Sequence, residues 1–122
     1  MSKVYTITGG VPSKKNSRIN TRSGRSFPSK EYRAWHETAG LEIQSQGIKS
    51  FTKPVEIEVK IYFKNNIRQD LDNRLSSILD LLVDLGVIED DRWQCVPEIE
   101  IKGYLDRNNP RAEIYIEEYS DD

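Results

Sequence analysis

Cysteine is nearly absent. Cys95 stands alone among 122 residues, so no disulfide can form within the chain and nothing asks for an oxidising compartment. Long apolar runs are missing too: no stretch approaches the ~20 apolar residues of a membrane span, and no basic region followed by an apolar one opens the N-terminus. With no candidate membrane span, the cytoplasm is the expected setting. His36 is the one histidine, with no Cys or second His at metal-ligand spacing, and is expected on a helix surface. Repeats, linkers and low-complexity tracts are also lacking. What remains is 31% charged and 36% apolar, the make-up of one globular domain over 1–122 with a single modest core.

The net charge of −2 hides an asymmetry. Residues 1–33 carry eight Lys or Arg against one acid, Glu31, whereas 34–122 carry ten basic residues against nineteen acidic ones. A basic first quarter on an otherwise acidic protein is a candidate polyanion-binding surface, the alternative being a solvated loop.

Val4–Thr8 alternates like a strand and ends at Gly9-Gly10. From Pro12 to Pro28 the chain is polar and basic, which predicts a long loop. Ser29 is a suitable N-cap for a helix with Tyr32, Trp35, Ala39 and Ile43 on its inner face, stopped at Gly47. Val55–Phe63 alternates strictly between apolar and mostly charged residues, the pattern of a strand buried on one face. Leu71, Leu75, Ile78, Leu79, Leu82 and Leu85 then trace the stripe of a second helix, ended by Gly86. Two further strand-like runs, 96–101 and 112–116, are expected to pair as a hairpin across the polar turn 106–110. The fold class is α+β: a small mixed β-sheet with two helices packed on it, in the order β-α-β-α-β-β.

The second helix carries the chemistry. Asp70-Leu71-Asp72-Asn73 opens it, and Asp90-Asp91 follows Gly86, so four aspartates bracket one helix within 22 residues. Like charges gathered at one site repel unless a cation joins them. Oxygen-only ligands select a hard ion, and Mg²⁺ combines a few carboxylates with water and phosphate oxygens. Capping and the helix dipole alone could explain Asp70 and Asp72, but acids at 90–91 gain nothing from that dipole. An EF-hand loop fails, because counting from Asp70 puts Leu75 where Gly is needed and Leu81 where Glu is needed. Cys95 and Trp93 are expected to pack, although Trp93, beside Asp91 and Arg92, is also placed to stack on an opened base pair.

Asp70-x-Asp72-Asn73, the Leu-Asp-Leu-Leu helix and Gly86-Val87-Ile88-Glu89-Asp90-Asp91 resemble the RusA family of Holliday junction resolvases. Chain length, element order and the Pro12-Ser13-Lys14-Lys15-Asn16 segment agree with it. The resemblance implies a homodimeric, Mg²⁺-dependent endonuclease, with Mn²⁺ as a substitute, that nicks two strands of four-way junction DNA symmetrically and leaves ligatable ends. Such enzymes are frequently encoded by phages and prophages. Carried over by position, Asp70, Asp72 and Asp91 are catalytic and hold the metal, and Asn73 and Asp90 support them. The DNA-binding residues expected from the basic first quarter are Lys14, Lys15, Arg18, Arg22, Arg25 and Lys30. One departure stands out: the family commonly places a lysine four residues after the second motif aspartate, where this chain has Ser76. Arg74, Lys14, Lys15 and Lys64 are candidates to replace that charge. The alternative function is a structure-selective junction-binding protein with weak or no cleavage; an acidic interaction module and a nuclease for flaps, forks or RNA are further competitors.

Overall fold

Alternation over Val55–Phe63 translates directly into a nine-residue strand whose Val55, Ile57, Val59 and Ile61 are buried while the residues between them face outward. The computed structural model describes residues 3–13 and 18–120. In chain order its elements are β1 (Val4–Thr8), β2 (Arg18–Asn20), β3 (Ser26–Pro28), α1 (Lys30–Ser45), β4 (Val55–Phe63), α2 (Leu71–Asp84), β5 (Glu98–Leu105) and β6 (Arg111–Glu118). Four strands form one mixed sheet in the order β1-β6-β4-β5, and β2 and β3 form a separate two-stranded sheet. Apart from that extra pair, the order is the expected β-α-β-α-β-β.

Two sequence expectations are corrected. Residues 12–28 are not one long loop, because β2 and β3 pair antiparallel with Ile19 opposite Phe27 and Gly24, at φ 82°, in the turn. Nor do β5 and β6 form a hairpin. Each pairs with β4, β5 parallel and β6 antiparallel, so they flank it and lie about twice the 4.8 Å strand spacing from each other. The connection 106–110 therefore passes over the end of β4, where Asp106 N–H donates to Phe63 O at 2.8 Å. A parallel pair needs a crossover, and α2 supplies it between β4 and β5.

Both helices bear on one face of the sheet. Tyr5, Ile7, Ile57, Val59, Ile114 and Ile116 meet Ala39, Ile43, Ile78, Leu81 and Leu82 there, in one core. Enclosing each large aliphatic side chain contributes roughly 1.5–3 kcal/mol. Gly40, a weak residue for helix, faces α2: a Cβ there would lie 3.3 Å from Leu85 Cδ2 and 3.6 Å from Leu81 Cδ1. Ser29 caps α1 as expected, its hydroxyl accepting from Tyr32 N–H at 3.1 Å. Trp93 does not pack. It is 73% exposed, on the irregular segment between α2 and β5.

Candidate active site

Helix α2 has two ends, and they hold different parts of the predicted constellation. Asp70 is the N-cap residue, yet its side chain makes no capping bond. Its Oδ2 instead accepts from Asn73 Nδ2 at 3.3 Å, and Asp72 Oδ1 accepts from the Asn73 backbone N–H at 3.0 Å. Capping therefore does not account for Asp70, and Asn73 links the two exposed carboxylates. Arg74 folds back on the same turn: Nη2 donates to Gln69 Oε1 at 2.9 Å and Nη1 reaches Asp70 O at 3.5 Å. Arg74 Nε is buried without a hydrogen-bond partner among the described residues. Arg68, Gln69, Asp70 and Arg74 line one open polar cleft. The Asp70 carboxylate, an amide and two guanidinium groups line it, with Asp72 tied to the same turn through Asn73, a set that suits a hard cation and a phosphate oxygen.

Ser76 lies one turn on, exposed, with its hydroxyl donating to Asp72 O at 3.0 Å. It adds no charge to the cleft. Arg74, one of the candidates for that charge, lies beside Asp70.

Asp90 and Asp91 lie at the other end. Val87 N–H donates to Leu82 O, Arg92 O accepts from Cys95 and Val96 N–H, and Cys95 O accepts from Val55 N–H. This holds 87–96 beside the first residue of β4. Leu71, by contrast, reaches Gly103, which pairs with Ile61 near the opposite end of β4. At 1.5 Å per residue the intervening helix is about 20 Å long. Within one chain, then, the fold brings Asp70, Asp72 and Asn73 together and holds Asp90 and Asp91 apart from them. Asp90 is engaged locally, accepting from Asp91 N–H at 2.8 Å and from Arg92 Nη1 at 3.0 Å, and these bonds hold its carboxyl below the usual range.

The basic element is anchored along the middle of α2. Pro12 O accepts from the buried Ser77 hydroxyl at 2.6 Å, one turn from Asn73. Tyr32, in the first turn of α1, donates to Asp80 Oδ2 at 3.3 Å. The β2–β3 hairpin lies in the chain between these two anchors, with Arg22 and Arg25 exposed around its turn and Lys30 exposed at the start of α1. Lys14 and Lys15 lie outside the described residues, and Arg18 is placed by its backbone in β2.

Sequence reasoning missed one grouping. His36 is not a solitary surface residue: its imidazole meets Asp84 and Asp80 of α2. Asp80 and Asp84 share a helix face by their spacing, but nothing local ties them to a residue more than forty positions earlier.

Among the described residues no helix is long and apolar enough to cross a membrane. No curated protein matches the chain. The family model described as Endodeoxyribonuclease RusA matches residues 9–117. That match takes in both helices, both ends of α2 and every strand except β1, apart from the last residue of β6, and the chain belongs to the RusA family of endodeoxyribonucleases.

Proposed function

We propose that this protein is a divalent-metal-dependent endonuclease that resolves four-way DNA junctions by paired nicks, acting in the cytoplasm as a homodimer. The observation that carries the reading is the Asp70–Asp72–Asn73 turn, with the Asp70 carboxylate uncommitted to capping and Arg74 alongside. Asp70 and Asp72 would hold Mg²⁺, or Mn²⁺ in its place. A hard cation bound there supplies charge neutralisation at the scissile phosphate and a more acidic water. Asn73 fixes the direction of both carboxylates, and Arg74 offers N–H donors to a phosphate oxygen as charge develops on it. The hairpin arginines and Lys30, with Lys14, Lys15 and Arg18, would neutralise the phosphates of the junction arms, an attraction that weakens steeply with salt.

Asp91 enters this reading through the second copy. β1 has its outer edge closed, since Thr6 and Thr8 N–H donate to Gln46 and Glu42 side chains of α1 at 2.8 Å each. β5 is paired on one side only and exposes Ile99, Tyr104 and Leu105. An open edge strand invites pairing. Two β5 strands joined antiparallel about a two-fold axis would set the start of one protomer's sheet beside the end of the other's. That brings Asp91 of each copy toward Asp70 and Asp72 of its mate, and gives the two equivalent sites that two symmetric nicks require.

The test is cleavage of a labelled synthetic four-way junction at low salt, with Mg²⁺ and with EDTA, beside a linear duplex of the same sequence. Paired, metal-dependent nicks in the junction alone are expected, and Asp70→Asn with Asp72→Asn should abolish them. Junction binding without nicks, even with Mn²⁺ and excess protein, would instead make it a binding protein, for which Ser76 in place of the family lysine is the favouring feature.

A further inference from the structure

His36, Asp80 and Asp84 form a second polar group, separate from the Asp70 turn. Their ligand atoms, one imidazole nitrogen and two carboxylate oxygens, lie within 4.8 Å of one another. His36 Nε2 and Asp84 Oδ2 are 2.9 Å apart. The three side chains open into one cleft between α1 and α2, lined also by Pro28, Tyr32, Arg33 and Glu37. Asp80 stands two turns after Asp72, about 12 Å along the helix. One ion therefore cannot serve both groups.

From this geometry we infer a divalent transition-metal site at His36, Asp80 and Asp84 that clamps α1 to α2. An imidazole ligand beside two carboxylates suits a borderline ion such as Zn²⁺ or Co²⁺, whereas Mg²⁺ takes oxygen ligands. Four-coordinate Zn²⁺ at about 2.0–2.1 Å from N and O donors needs those donors about 3.4 Å apart. A spread of 4.8 Å closes to that by small side-chain rotations, with solvent completing the shell. The ion would replace the His36–Asp84 contact with two coordinate bonds.

An outer layer for the site exists as well. Tyr32 donates its hydroxyl to Asp80 Oδ2 at 3.3 Å. Hydrogen bonds of this kind orient metal-bound carboxylates. Tyr32, Trp35 and His36 also pack ring against ring, at centroid distances of 5.7 to 6.3 Å, which limits the swing of the imidazole. Because α1 starts directly after the β2–β3 hairpin, an ion here would also stiffen the base of the basic element.

Calorimetric titration of the full chain with Zn²⁺ in excess Mg²⁺, and the visible absorption spectrum with Co²⁺, test the inference. Expected are one saturable site per chain that excess Mg²⁺ does not fill, a mixed nitrogen–oxygen Co²⁺ spectrum, and a Zn²⁺-dependent rise in Tm. His36→Gln and Asp84→Asn should each weaken binding at least tenfold. Tyr32→Phe, which keeps all three ligands, should weaken it on the order of tenfold. The double variant Asp70→Asn, Asp72→Asn should bind Zn²⁺ as the parent does, so failure of the nuclease reading leaves this result intact. Zn²⁺ binding unchanged by His36→Gln, or no saturable binding by a chain with the parent's circular dichroism, would overturn the site.

Discussion

Glu56 shows how a single residue can set a pH response. It faces Glu98 on one neighbouring strand and Glu117 on the other, three carboxylates in a row across the open side of the sheet. Hydrogen bonds donated by the protonated Glu56 carboxyl to Glu98 and then to Glu117 are the largest causes that raise it to about 7. The folded chain thus binds this proton more tightly than the unfolded chain does. The stability it contributes is fully present below the ordinary carboxyl range and is lost as pH rises through about 7. Urea midpoints should fall between about pH 5 and pH 8, and Glu56→Gln should flatten that fall; an equally steep profile in the variant would show that other groups control it. Ser76 carries the second prediction at this scale. It is exposed one turn from Asp72, on the flank that also carries Asp80. A transition-state contact of this type is worth on the order of 10²–10³ in rate. Ser76→Lys should raise the single-turnover rate of junction cleavage at least tenfold. An unchanged rate would mean that Arg74 already supplies the charge. The motif residues themselves were readable because Asp-x-Asp-Asn is local, and so was Ser76 as a departure. The Asp91 separation was not, since residues close in a motif can sit at opposite ends of a helix.

Among elements, legibility followed length. β4, with nine alternating residues, and α2, with a long apolar stripe, are where the periodicity placed them. The hairpin was hidden because three residues per strand cannot display a period, and its one apolar pair, Ile19 and Phe27, is exposed. Partnership was hidden for another reason. A polar five-residue turn says that two strands are joined but not that a third lies between them, as β4 lies between β5 and β6. The hairpin makes its own prediction. If Arg22 and Arg25 each meet a phosphate, Arg22→Ala with Arg25→Ala should reduce the slope of log K against log[salt] by about 0.9 per lost contact. Fluorescence anisotropy of a labelled junction across a salt series measures this, and Tm should be unaffected because both side chains are solvent-exposed. An unaltered slope would remove the hairpin from the DNA surface.

At the scale of the whole molecule, the decisive fact is that α2 separates the carboxylates the chemistry would combine. A site built within one protomer leaves Asp91 about 20 Å from Asp70. A site built across β5 edges has each copy lend Asp91 to its mate. These arrangements differ in a way that mixing reveals. Asp70→Asn with Asp72→Asn leaves Asp91 intact, and Asp91→Asn leaves Asp70 and Asp72 intact, so each homodimer should be inactive. In a mixed dimer with shared sites, one site collects every substitution and the other has none. Co-refolding equal amounts of the two variants forms about half mixed dimers, each with one intact site, and junction nicking should return to about a quarter of the parental rate if subunits assort at random. Those nicks should be single, because the opposite site in the same dimer is dead. If the mixture stays inactive while native mass spectrometry shows mixed dimers, each site belongs to one chain, and Asp91 serves the fold at the far end of α2.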